Sequence, residues 1–595
     1  MNSLPSDARI DNSMLQDNVE VAIETPTISS ILDSLSTPGT STTEESDHEL
    51  MQISNICYVG AGYVGGTNAA VTALTNPEIQ VNVVDIDESK IAHWNSNHLP
   101  INEAGLDVVV RIARDGLYQK TTGRSTRLAN LGFSAHLAQH VSEADMIFLA
   151  VSTPTKTFGQ GAGSAIDIAD LKSAVEIIAA EAKPGAIIVE KSTVPCKTVD
   201  MIKGVLQYLR PGVPFEVLSN PEFLTEGTAI ADLLRPSRIL IGSQKTSTGL
   251  AAAKKLAALY HWIPPKKILQ MTQWSAELSK LVSNAFLAQR ISSINTISAI
   301  CEANGSDIAD VSHAIGLDPR IGCDYLQSGL GFGGSCLKKD TLSLSYLAEA
   351  LHLPEVASYW RSVIDVNVWQ VDRFVSKVVE SFHGTLRSEK LAIFGFAFKE
   401  NTSDARDSQS IQVIQRLLEE RPGRITIYDP GCDPYLLDIQ LSQSFRGSKC
   451  PLKACSNPYQ ACDGASAVLI LTPWAAFSYP PAPLDRSKKT KLNYDDILVT
   501  HPDGYVKLTL PGVVENQEGY LKSGPACPGG CSRCSLVDEQ QHQGPCNQHV
   551  EWERIVNCMR SPKWVFDARQ QVEVEELAQL GCSVFSLGRS ETYLG

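Results

Sequence analysis

The chain has 595 residues, 43% hydrophobic and 20% charged, with 51 Lys and Arg against 66 Asp and Glu for a net charge of −15. That length exceeds one hydrophobic core and calls for about three to four domain-sized units of ordinary globular composition. The acidic balance excludes nucleic acid as the main partner, because phosphate backbones select Lys and Arg in excess, and no run of about eighteen apolar residues offers a membrane span.

Residues 1–50 are rich in Ser, Thr and acids and are expected to form a disordered extension. They carry no basic region followed by an apolar run, so no signal peptide is expected there. The 15 Cys scatter mostly singly through apolar segments. That usage suits reduced thiols in a cytoplasmic protein.

Ordered structure is expected from about residue 53. Ile56 to Val59 is a short apolar run ahead of glycines, the pattern of a buried parallel strand. A second strand, Val81 to Asp85, ends on an acid. A third covers Met146 to Val151 and leads into Ser152, Thr153, Pro154 and Thr155. A fourth, Ala186 to Val189, leads into Glu190-Lys191-Ser192-Thr193. Strands alternating with helical stretches predict a doubly wound parallel sheet over about 53–235.

Gly60-Ala61-Gly62-Tyr63-Val64-Gly65 fits the G-x-G-x-x-G turn between a strand and a helix, and Asp85 stands twenty residues after Gly65. Together these predict a dinucleotide site. The glycines allow the tight turn and close backbone approach, the helix N-terminus meets the pyrophosphate, and the acid meets the ribose hydroxyls. An acid at Asp85 repels a 2′-phosphate, which favours NAD; Lys90 screens that charge in part.

Ser219-Asn220-Pro221-Glu222-Phe223-Leu224-Thr225-Glu226 places two carboxylates four apart. They could act as bases, bind a polar substrate, or be ordinary loop acids. From about Trp274 to Phe382 apolar residues recur at helical spacing, with a glycine-rich break at 329–334. Lys280 and Asn284 share one helix face there, either to hold an oxyanion or as a solvated surface. Cys336 follows Gly331-Phe332-Gly333-Gly334 near a helix start, where the helix dipole and neighbouring lysines are expected to lower its pKa. Asp340 lies one turn on.

Lys390 to Gly395 restarts the strand pattern, followed by Ile425 to Asp429 and Ala467 to Leu471. The expected fold is α/β, two Rossmann-like doubly wound domains (51–270 and 386–595) joined by a helical middle domain (271–385). An insertion at about 478–547, rich in Pro, Gly, Lys and Cys, is expected to lie on the surface. It contains Cys527, Cys531, Cys534 and Cys546, with His542 and His549 close by. These could converge on a structural Zn²⁺, or be incidental cysteines in a disordered loop; the chemistry itself calls for no metal.

The matching stretches are G-A-G-Y-V-G-G at 60–66, V-S-T-P-T-K-T at 151–157, E-K-S-T-V-P at 190–195, S-N-P-E-F-L-T-E-G-T-A-I at 219–230, S-K-L-V-S-N-A-F-L-A-Q-R-I-S-S-I-N at 279–295, G-F-G-G-S-C at 331–336, and G-F-A-F-K at 395–399 followed by Asp404-Ala405-Arg406. On these, the chain resembles the UDP-glucose/GDP-mannose dehydrogenase family in its eukaryotic UDP-glucose-oxidising form, across about 53–475 and 550–595.

The resemblance implies oxidation of UDP-glucose at C6 to UDP-glucuronate with NAD, through a Cys-bound thiohemiacetal and thioester. It implies Cys336 as nucleophile, Glu222 as acid/base, Lys280 and Asn284 as oxyanion partners, and Asp340 and Thr193 as water-positioning groups. Gly60 to Gly65, Asp85, Lys90, Ser152 to Thr155, Thr193, Glu226 and Arg406 would contact NAD. Glu222 to Glu226, Lys280, Asn284, Arg320, the loop Gln327, Ser328, Gly329, Leu330, Gly331, Phe332 and Gly333, Lys399 and Arg569 would hold the sugar nucleotide. A homo-oligomer, dimer or hexamer, is implied as well. The alternatives are a dehydrogenase of GDP-mannose or a UDP-N-acetylhexosamine, a single-step β-hydroxyacid dehydrogenase, or an idle scaffolding paralogue.

Overall fold

A computed structural model of the protein describes residues 53–589, apart from 401, 480–497, 501–504, 511–513, 523, 529–533 and 535–548. The expected extension over 1–50 and residues Cys531, His542 and Cys546 lie outside the described residues.

The N-terminal half is organised by short strands of buried β-branched and apolar residues. These are β1 Asn55–Val59, β2 Gln80–Val84, β3 Leu117–Tyr118, β4 Ser125–Arg127, β5 Leu131–Ser134, β6 Met146–Leu149, β7 Ile187–Glu190, β8 Glu216–Ser219, β9 Ile239–Ser243 and β10 Ile268–Thr272. Eight of them form one sheet in the order β10-β9-β8-β7-β6-β1-β2-β5. Pairing is parallel except between β8 and β9. β6 and β7 are buried throughout, as strands covered on both faces must be. The order steps from β1 to β2 on one side and to β6 on the other, and such a switch point opens a crevice at the carboxyl strand ends. The sheet runs past residue 235, because Ile239–Ser243 and Ile268–Thr272 add two strands that the proline and basic residues before them disguise in the sequence.

The middle of the chain is helical: Gln273–Asn304, Ile308–Gly316, Ser335–Ala350 and Pro354–Ser381. A second sheet follows, built from β11 Lys390–Phe394, β12 Arg424–Tyr428, β13 Leu452–Ala454 and β14 Ala467–Ile470, and completed near the C-terminus by two further strands, Trp564–Asp567 and Ser583–Ser586. All five pairings are parallel. Its two faces are covered by separate apolar clusters, one containing Phe374 of the last middle helix and one containing Trp552.

The insertion departs from its expected place. Strands β15 Leu498–Thr500, β16 Tyr505–Leu510 and β17 Val514–Leu521 form an antiparallel sheet that continues through β3 to β4 of the N-terminal half. The two C-terminal strands named above are therefore β18 and β19. Val506 and Leu508 are fully buried and belong to the N-terminal core, while Lys507 between them is exposed. That alternation is what a half-buried strand requires. Counting Pro, Gly and Lys hid it, so the stretch is core on one face.

Leu508→Ala should cost about 2–5 kcal/mol by leaving a cavity, read as a fall of several degrees in Tm. An insertion resting on the surface alone would leave Tm unchanged.

Candidate active site

The glycine turn is shaped by close approach. Gly60 has φ +108°, and a Cβ there would lie 2.5 Å from the Ala150 carbonyl oxygen; one on Gly65 would lie 1.9 Å from the carbonyl oxygen of Gly60. A Cβ on Gly62 would meet nothing within 4 Å. Gly62 is the N-cap of helix Tyr63–Thr75, and no side chain caps it. Free helix-end N–H groups facing open space suit a pyrophosphate. Asp85 accepts from the Ala61 N–H at 2.8 Å and from the Lys90 ammonium at 3.0 Å. Partial burial pushes its pKa up, but the Asp87 N–H, Lys90 and the Ala61 N–H hold it below the usual range. A carboxylate so fixed leaves the site fit for ribose hydroxyls.

The Ser152–Thr155 and Thr193 segments leave the ends of β6 and β7. The Thr153 hydroxyl donates to the Thr193 carbonyl at 2.7 Å, and the Lys339 ammonium donates to the Thr153 carbonyl at 3.1 Å. Lys339 thus ties the nucleotide crevice to the helix that carries the thiol.

That helix, Ser335–Ala350, starts from Gly334 at φ +79°, with no side-chain cap. Cys336 occupies its first turn with solvent-facing surface. Asp340, one turn on, is buried and accepts from the Asn284 amide at 2.6 Å. Lys339 lies 3.6 Å from its other oxygen, Oδ1, which accepts no hydrogen bond among the described residues. Lys280 and Asn284 are both buried on helix Gln273–Asn304, so they are not a solvated surface. The Lys280 ammonium lies 5.2 Å from the Phe223 ring centre.

The thiol differs from expectation. Crowding by protein atoms and the Asp340 charge raise the Cys336 pKa above its ordinary value, against the pull of Lys280, Lys339 and the Ser335 hydroxyl. Desolvation outweighs the lysines that were expected to favour a thiolate.

The segment Glu222–Glu226 follows β8. Glu222 is buried and accepts from the Leu224 N–H at 3.0 Å. Thr225 donates its N–H to Asp232 at 3.0 Å. Glu226 meets Arg406 at 3.4 Å, and Arg406 pairs with Asp404 at 2.5 Å. Burial and the Asp404 charge push Glu226 up to about 7. The Lys399 ammonium donates to the Glu226 carbonyl. Lys399 and Arg406 belong to the loop after β11, so this cluster joins the two sheets.

The loop Gln327–Gly333 packs against that same loop. Gly331 has φ +101°, and a Cβ on it would lie 2.1 Å from Asn367 Oδ1. The Phe332 N–H donates to Asn367 at 2.8 Å, and the Gln409 amide donates to the Phe332 carbonyl at 2.8 Å. Leu330 and Phe332 are buried. Ser328 meets Gln570 at 2.9 Å. Arg569 donates to the Leu471 carbonyl at 2.7 Å, and burial lowers its pKa to about 10. It lines a cavity of about 300 Å³ with Gln327, Gly329, Gly331 and Tyr325. A guanidinium in such a cavity suits an anionic ligand. Arg320 is not brought there: it is exposed and pairs with Asp318 at 2.6 Å.

Two residues were missed in the sequence. Lys191 is buried, donates to Asn220 at 3.0 Å, and is lowered to about 8 by desolvation. An apolar run ending in Glu-Lys was its only signal. Glu103 accepts from the Tyr63 hydroxyl and from the N–H groups of Gly227 and Ala229 at 2.7 and 2.8 Å. It locks the turn at Gly227–Ala229, directly after Glu226, to the nucleotide helix, and no local pattern marked it. The insertion also differs: Cys527 and Cys534 approach His98, more than four hundred residues before them, and His549 is not among them.

Residues 54–263 match the NAD binding domain of the UDP-glucose/GDP-mannose dehydrogenase family, 274–369 its central domain, and 392–501 its UDP binding domain. The chain is 47% identical over 429 residues to UDP-glucose 6-dehydrogenase of Drosophila melanogaster, covering 71% of this chain and 87% of that one. It is 40% identical over 535 residues to UDP-glucose 6-dehydrogenase 5 of Oryza sativa subsp. japonica, covering 90% and 97%. Among solved structures it is similar to a UDP-glucose dehydrogenase from the archaeon Pyrobaculum islandicum, at 29% identity and TM-score 0.61, over 73% of this chain and 92% of that one. Three domain matches in series, on a site built from an NAD-type turn, a helix-end thiol and an arginine-lined cavity, place this chain in the UDP-glucose/GDP-mannose dehydrogenase family.

Proposed function

We propose that the chain is an NAD-dependent UDP-glucose 6-dehydrogenase that oxidises the C6 alcohol to the acid at one site. Support comes from the curated relatives at 46–47% identity that carry this activity in their names. The observation that carries the mechanism is the grouping of Cys336, Lys280, Asn284 and Asp340, three of them buried, at the end of one helix and the flank of another. NAD, when bound, accepts a hydride in each of the two oxidations. Gly60, Ala61, Gly62, Tyr63, Val64, Gly65, Asp85, Lys90, the Ser152–Thr155 segment, Thr193, Glu226 and Arg406 would hold it. Arg569 and the Gln327–Gly333 loop would hold the uridine diphosphate, with Arg320 left out of this chain's own cavity.

The chain's residues would divide the work in order. Glu222 takes the proton of the C6 hydroxyl as the alcohol becomes the aldehyde. The Cys336 sulfur adds to the aldehyde carbon, and Lys280 and Asn284 hold the oxygen that gains charge. The thiohemiacetal loses its hydride to leave a thioester. Asp340 and Thr193 position the water that releases the acid and returns the thiol. A nucleophilic sulfur is what gives the aldehyde a form with a hydride to lose.

The domains proposed for this work are 51–270 for the cofactor, 271–385 between, and 386–595 for the sugar nucleotide. We place the enzyme in the cytoplasm as a homo-oligomer, a dimer or hexamer. No described helix is long and apolar enough to cross a membrane. Phe286, Ile300, Tyr359 and Trp369 leave 44–56% of their surfaces exposed on the middle helices, which favours burial against another copy. Sedimentation that finds only an active monomer would overturn the oligomer.

Purified protein should form two NADH per UDP-glucose consumed, and Cys336→Ala should lose on the order of 10³-fold or more in kcat. One NADH per sugar, normal UDP-glucuronate release by Cys336→Ala, or faster turnover of GDP-mannose or a UDP-N-acetylhexosamine would each overturn the reading.

Because Asp340 raises the Cys336 pKa, removing its charge should favour the thiolate. Asp340→Asn should therefore be alkylated faster by iodoacetamide at neutral pH than the parent. Its rate should also rise with pH at a lower midpoint. An unchanged midpoint would show that desolvation alone sets the thiol.

A further inference from the structure

The segment between the helices Glu88–Trp94 and Leu106–Asp115 of the N-terminal half carries His98, and the insertion crosses it. Cys527 Sγ lies 3.3 Å and Cys534 Sγ 3.4 Å from the same atom, His98 Nδ1. All three donor atoms lie within 4.8 Å of one another. One imidazole nitrogen carries either one hydrogen or one lone pair, so it serves one thiol well and not two. A cation resolves the crowding, since it binds both sulfurs as thiolates and the nitrogen by its lone pair. With Zn–S near 2.3 Å and Zn–N near 2.05 Å, a tetrahedral angle puts sulfur and nitrogen about 3.6 Å apart. The observed separations lie close to that edge.

The surroundings show a built junction. The Arg111 guanidinium donates to the Lys522 carbonyl at 2.7 Å, and the Asn97 amide donates to the Gly524 carbonyl at 3.4 Å. A Cβ on Gly524 would lie 1.6 Å from Asn97 Oδ1, so the Asn97 side chain packs directly against this glycine. Arg127 meets Gln517 at 2.9 Å. The insertion is thus held to the nucleotide half just before its cysteines arrive.

We infer that His98, Cys527 and Cys534 form a structural Zn²⁺ site that staples the insertion to the loop 96–105. Three of the four tetrahedral corners are set by these donors. Two sulfurs and an imidazole select zinc over hard cations such as Mg²⁺ or Ca²⁺. Binding releases two thiol protons to solvent and involves no oxidation or reduction. The staple stands five residues from Glu103, which fixes the turn at Gly227–Ala229 just after Glu226, so it supports the crevice from outside without touching the reacting atoms.

Metal analysis of the full-length protein purified with zinc in the medium tests this. About one zinc per chain is expected, falling at least about tenfold in Cys527→Ser, Cys534→Ser and His98→Ala. Cys450→Ser, outside the cluster, should keep its metal. His98→Cys, which supplies another zinc ligand, should also keep it, and this separates lost ligation from a damaged loop. Cobalt-loaded protein should show sulfur-to-metal charge-transfer absorption that the two serine variants lose. Zinc-free parent protein, zinc retained in all three loss variants, or loss in His98→Cys as well would overturn the site.

Discussion

A buried carboxylate must find donors, and Asp340 finds one across the helix interface, where the Asn284 amide reaches it at 2.6 Å. That bond sets the register of the two central helices. One carries Cys336 a turn before Asp340; the other carries Lys280 a turn before Asn284. Sliding either helix by one residue would leave a buried acid and a buried amide unpaired, each at a cost of about 1–3 kcal/mol. The thiol and the ammonium that acts on it are thereby placed together by a contact that is itself part of neither.

Around this pair the two sheets are drawn together by short polar bridges. Lys399 and Arg406 descend from the second sheet onto Glu226 of the first, and Lys339 spans from the thiol helix to Thr153. These contacts are partly exposed charges, and exposed pairs contribute little stability. Their consequence is positional. Within the seam, burial and the neighbouring Asp404 carboxylate raise Glu226 to about 7 against the pull of Arg406 and Lys399. Such a seam can loosen and reform at modest cost, as a crevice that admits two ligands requires.

The insertion shows how composition misleads. Its Pro, Gly and Cys content describes a loop, yet Val506 and Leu508 complete the N-terminal core, and the ring of Tyr520 stands 6.3 Å from that of Tyr118. An antiparallel edge strand needs only a few inward residues at period two. Two such residues in seventy do not move an average.

The sequence by itself determined the elements whose cause is local. A strand, a glycine turn and a helix declare the nucleotide site within thirty residues, because Gly65 answers a steric limit set by Gly60 in the same turn. Helical periodicity between Trp274 and Phe382 and the strand runs at 390, 425 and 467 are likewise local signals, and the similarity of the thiol segment to a known family added the rest of the expectation. Only the tertiary structure decided the electrostatic state of Cys336, because desolvation depends on atoms brought from elsewhere in the chain. It alone set Glu103 against the N–H groups of Gly227 and Ala229, left Arg320 on the surface, and set His98 against two cysteines more than four hundred residues away. Burial and long-range contact are sums over distant chain, and no window of sequence contains them.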